Sequence, residues 1–140
     1  MQDVHREFYF RLIDELVGEL EAISGRSHGR DRFERVCRRW VELVVRWSRA
    51  ATRIRSAEGF LERVGVGDPP TSALHAALTP VVAELAADKD IPEQDADYAV
   101  LLWITIFDER VIVDLTDSLG WPPARIARTL TASLLAAWQA

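Results

Sequence analysis

The stretch EQDADYAVLLWITIFDERVIVDLTDSLG, residues 93–120, decides the fold because it reads two ways. Ala99–Phe107 is apolar on every side and Val111–Val113 is β-branched, so two strands turning at Asp108-Glu109 are one reading. The bounds favour a helix. Glu93, Asp95 and Asp97 put acid at the start, where a helix dipole stabilises negative charge. Gly120 stands where a C-terminal cap belongs, with Trp121, Pro122 and Pro123 beyond it. No Gly or Asn supplies a tight hairpin turn. Residues 93–119 are therefore predicted as one helix, and a helix apolar all round is one buried between two layers.

Outward from this segment the pattern stays helical. Residues 3–24 carry Val4, Phe8, Leu12, Leu16, Leu20 and Ile23 in one stripe, with Asp3 as N-cap. After a loop at Ser24–Arg30, a long second helix opens with Asp31 and Glu34 in capping-box spacing. It lines Phe33, Val36, Cys37, Trp40, Val44, Trp47, Ala51 and Ile54 on one side, with Arg32, Arg35, Arg39, Glu42, Arg46, Arg49 and Arg53 on the other. A bend near Ser48–Ala51, an end before Gly59 and a helical turn at Phe60–Val64 are expected, then turn-rich sequence from Gly65 to Pro70. A third helix, Thr71–Ala87, turns Leu74, Leu78, Val81, Val82 and Leu85 inward and should kink at Pro80. The last helix, Pro123 to about Trp138, sets Ile126, Leu130, Leu134 and Ala137 on one side, with small residues that allow close helix approach. The expected fold is all-α: one domain over residues 1–140, a bundle of about five or six helices.

The chain of 140 residues is 49% hydrophobic and 28% charged, ordinary for a globular domain. No apolar run is long enough to span a bilayer, and charge at Asp3, Arg6 and Glu7 breaks the pattern of a signal peptide. A cytoplasmic protein is expected. Residues 1–55 carry net +3 and residues 56–140 net −8, which turns the second half away from nucleic acid. The ten arginines between Arg26 and Arg55 read as the solvated side of a helix before they read as a basic patch.

Chemistry finds little footing. His5, His28 and His75 are scattered, and the acids from Asp88 to Asp97 lack the glycine of a calcium loop, so no metal site is expected. Cys37 is alone and reads as a small buried hydrophobe. No phosphate loop or serine elbow is present, so neither a catalytic site nor a cofactor is expected. Leu119–Leu130 looks like the front half of a helix-turn-helix, but Thr131–Ala137 simply continues the helix.

On a continuous helix at about 100° per residue, Leu101, Thr105, Asp108 and Ile112 share one face. Trp103, Phe107, Arg110 and Asp114 lie roughly opposite. The first face is apolar with two polar groups inset, as in a pocket that orients a small guest. The alternative is local: Thr105 bonds its own backbone and Asp108 pairs with an arginine of the second helix.

The run Trp103-x-x-x-x-Asp108-Glu109-Arg110-Val111, then a short loop and an Ala/Leu-rich helix ending in Trp138, resembles the C-terminal end of TetR-family transcriptional repressors. It is most similar to the actinobacterial branch that binds hydrophobic ligands and carries Asn-Glu-Arg-Val there. The likeness extends over nearly the whole chain in helix order and length, and an Arg:Lys ratio of 16:1 suits a GC-rich genome. The family's N-terminal helix-turn-helix has no counterpart here, so specific DNA binding by these residues alone is not expected. The resemblance implies a ligand-sensing and dimerisation domain, with the positions of Thr105 and Asp108 facing a ligand tunnel. Asp in place of the branch's Asn adds a charge there. Trp40, Val44, Trp47, Leu78, Val82 and Leu101 would complete the pocket for a hydrophobic effector. The last two helices would form a homodimer contact through Trp103, Phe107, Arg110, Asp114, Ile126, Leu130 and Leu134. The competing reading is a helical protein–protein interaction module without a pocket.

Overall fold

The second helix is the axis around which the others pack. In the computed structural model the described residues are 2–51, 65, 67 and 69–140, with side chains described over 11–47 and 71–140. They form α1 (Gln2–Ser24), α2 (Gly29–Ala51), α3 (Pro69–Ala87), α4 (Ala96–Ile106), α5 (Glu109–Val113), a π-helical turn (Asp114–Ser118) and α6 (Pro123–Trp138). Helix α2 packs on α1, α3, α5 and α6, while α4 bridges α3 and α6. Among the described residues the architecture is all-α, as expected. The helical turn expected at Phe60–Val64 and the end of the second helix before Gly59 lie outside the described residues, as do the side chains at the expected bend.

Most stripes bury as their periodicity requires. Leu16, Leu20 and Ile23 of α1 meet Phe33, Val36, Trp40 and Val44 of α2 in one core with Leu74, Leu78, Val82 and Leu85 of α3, and Leu12 is buried as well. Each fully buried large side chain contributes about 1.5–3 kcal/mol. The centre is aromatic. Phe33 stands edge-on to Trp103 with centroids 5.0 Å apart, Trp138 meets Trp103 at 5.7 Å, and Trp40 contacts both Trp103 and Phe107.

Arg32 departs from its expected place on the solvent side. It is buried, with Nη2 donating to the Pro80 carbonyl at 3.1 Å and pairing with Glu84 at 3.3 Å. The other Glu84 oxygen accepts the N–H of Gly29, the first residue of α2. A carboxylate from α3 thus satisfies a free donor at the positive end of α2, where the dipole favours it. This replaces the expected capping box: Asp31 pairs with Arg35 and Glu34 with Arg30 instead. Helix α3 is helical on both sides of Pro80, whose ring side is exposed.

The expected single helix over 93–119 is corrected. Helix α4 starts at Ala96, capped by the Asp95 carboxylate accepting from Tyr98 N–H at 3.0 Å. It ends at Ile106. Asp108 then adopts extended backbone and caps α5, its side chain accepting from Arg110 N–H at 2.7 Å. Gly120, at φ +67°, closes the π-helical turn as a left-handed cap, and Pro123 opens α6.

Candidate functional site

Within α4 the inward side carries Trp103, and Thr105 faces outward, opposite to the expected faces, while Ile112 of α5 is buried as expected. Trp103 and Phe107 are buried within the protomer, held by Phe33, Trp40 and Trp138, and Ile126, Leu130 and Leu134 share that core. They have no surface left for a partner subunit, so their assignment to a dimer contact is corrected. The reason is competition: the largest side chains gain most from the driest place, and the core of the protomer offers it. Arg110 and Asp114 are exposed, but the Arg110 Nε lies 3.7 Å from Asp108 rather than bonding Asp114.

The residues expected to wall a pocket differ in burial. Trp40, Val44, Leu78 and Val82 are interior, and Trp47 is half-buried. Leu101 is half-buried and Thr105 is exposed on the outer side of α4, its hydroxyl donating to the Leu101 carbonyl at 2.8 Å. That back-bond is the local alternative for Thr105. Asp108 caps α5 and also lies beside the Arg110 guanidinium. Thr105 thus faces outward on α4, while Leu78 lies in the core.

A different concavity lies between α2 and α6, with a volume of about 510 Å³. Arg30, Glu34 and Arg38 form its α2 wall, spaced four residues apart on one face. Ala124, Ala127, Thr131, Ala132 and Leu135 form a floor of mostly small side chains, and Arg128 rises from α6. Arg30 is bonded to Glu34 at 3.1 Å. Behind Thr131 lies Cys37, wholly buried and also neighboured by Trp103; burial pushes its thiol well above the usual range. A protonated, inaccessible thiol is a poor nucleophile. Sequence reasoning noted the small residues of the last helix but missed this groove. The available signal was the 30/34/38 stripe facing an arginine set among alanines.

Elsewhere the charges hold helices together. Arg39 of α2 donates to Glu19 of α1 at 2.9 Å, and Arg46 pairs with Glu15. The Arg39 hydrogen bond holds the Glu19 carboxyl below its ordinary value. His75 Nε2 lies 2.9 Å from Asp97, joining α3 to α4. At the far end, Gln94 donates to the Trp138 carbonyl at 2.8 Å, satisfying the C-terminus of α6. Among the described residues no three His, Cys, Asp or Glu side chains gather as metal ligands, and no helix is long and apolar enough to cross a membrane.

No family model, curated protein sequence or solved structure matches this chain.

Proposed function

We propose that this chain is the sensing and dimerising domain of a TetR-type transcriptional regulator, acting in the cytoplasm as a homodimer that responds to a hydrophobic small molecule. The observation that supports it is the pairing of α4 with α6, each of which keeps a side turned outward. On α4 that side carries Tyr98, 59% exposed, with Thr105 exposed and Leu101 half-buried. On α6 it carries Thr129, Ser133 and Ala136, all exposed and small enough for close approach. Two such helices from each of two copies would make a self-complementary four-helix contact. The dimer surface proposed here is this outer one, not the aromatic core. Leu119–Leu130 offers only the front half of a helix-turn-helix, so duplex DNA should bind these residues weakly and only at low salt.

Sedimentation velocity at tens of micromolar tests the dimer. Wild type should sediment as a dimer and Tyr98→Glu as a folded monomer; a monomeric wild type would remove the proposal. A pocketless interaction module is the second reading, favoured by the close packing of Trp40 on Trp103 and Phe107. A thermal-shift screen with hydrophobic small molecules separates the two, because stabilisation follows affinity for the folded state. Leu78→Trp adds to the distinction. In a sensor it fills the pocket and abolishes ligand stabilisation, whereas in a closed core it costs about 1–3 kcal/mol by overpacking.

A further inference from the structure

The described arginines are almost all engaged. Arg30, Arg35, Arg39 and Arg46 pair with acids, Arg32 is buried against Glu84, and Arg26 donates to a carbonyl. Arg110 lies by Asp108, and Arg125 stacks its guanidinium 3.9 Å from the centre of the Trp121 ring. Arg11 also has a partner. Among the described residues, Arg38 and Arg128 have none, and both line the groove between α2 and α6. In a chain of net charge −5, two unneutralised guanidinium groups converging on one concavity from different helices call for an anion.

We propose that this groove binds a small amphiphilic carboxylate, with the head group held between Arg38 and Arg128 and the apolar body laid along Ala127, Ala132 and Leu135. The volume, about 510 Å³, falls within the range of small-molecule sites. Its length follows from the α2 wall: Arg30 to Arg38 spans eight residues, about 12 Å along a helix axis. A floor of mostly small apolar side chains, with the Thr131 hydroxyl its polar group, admits a chain-like body. Glu34 on the same rim is matched by Arg30, which leaves Arg38 and Arg128 to face the head group, and the apolar floor selects a head group that carries an alkyl body. The inference rests on the groove alone and is independent of the dimer surface and of any interior pocket.

The test uses the ¹⁵N-labelled full chain and octanoate as probe, followed by amide chemical shifts, with acetate and octyltrimethylammonium as controls. Octanoate should saturate and move the amides of residues 30–38 and 124–135. Acetate should bind at least about tenfold more weakly, since it lacks the apolar body. Octyltrimethylammonium should leave these amides unmoved. Arg38→Gln and Arg128→Gln, both at exposed positions, should each weaken octanoate about fivefold while the melting temperature stays put. Octanoate binding that is indifferent to both variants, or that moves amides elsewhere, overturns the proposal. So does acetate binding as tightly as octanoate, which makes the groove a bare anion site. An acidic helical peptide that moves these amides when octanoate does not would reassign the groove to a protein partner and equally overturn it.

Discussion

Trp103 and Ile112 are both fully buried in the same core, although nine residues set them on opposite sides of a straight helix. The break at Phe107–Asp108 reconciles them. Helix α4 delivers Trp103 to Phe33 and Trp138, the chain leaves helical geometry at Asp108, and α5 restarts with a new phase that sends Ile112 against α2. One aspartate cap thus decides which residues of the most apolar segment reach the interior.

Asp108→Ala should therefore destabilise the protein by about 1 kcal/mol, the usual loss of an N-cap, and Asp108→Asn by much less. Urea denaturation measures both. An unchanged midpoint for Asp108→Ala would mean that packing, not the cap, restarts the helix.

Glu84→Ala should cost on the order of 2 kcal/mol, less than the 3–5 typical of fully buried pairs because Glu84 keeps 29% exposure. It strands the buried Arg32 guanidinium and uncaps α2 together. Arg30→Ala, which breaks an exposed pair, should cost about 0.5 kcal/mol or less. Equal effects in thermal melts would contradict this ranking.

Two glycines should respond with opposite sign. Gly120 holds φ +67°, so Gly120→Ala should destabilise by about 1–2 kcal/mol through backbone strain, although nothing crowds the new methyl. Gly18 sits exposed within α1 and a Cβ there meets nothing, so Gly18→Ala should stabilise by about 0.5–1 kcal/mol. Paired melts of the two variants check the signs directly.

The Glu19 carboxyl is held below its ordinary 4.5 chiefly by the hydrogen bond from Arg39. A depressed folded value means the pair's contribution is complete above the unfolded value and is lost as pH falls through the folded one. Both partners are about one-third exposed, so the contribution is under about 1 kcal/mol. Arg39→Gln should lower stability at pH 7 and lose less than wild type as the pH drops below 4.5. Parallel pH profiles for the two proteins would remove this account.

Where hydrophobicity has a direction, the sequence by itself determined the outcome. The stripes through Leu16 and Leu20, Phe33 and Val36, and Leu78 and Val82 each present one apolar side at helical period, and each buries that side. Gly120 and Pro123 bound their helices through backbone geometry alone. Residues 99–107 are apolar on every side, so periodicity carries no directional signal there. The inward face was chosen only when Phe33, Trp40 and Trp138 supplied a cavity that Trp103 and Phe107 fill and Thr105 does not. Arg32 likewise reads as one more solvated arginine until Glu84 arrives from α3. Arg38 and Arg128 lie ninety residues apart and meet in one groove because α6 packs along α2. A helix's own sequence can specify which of its sides avoids water, but charge partners and the faces of a uniformly apolar helix are chosen by neighbours that only the folded chain provides.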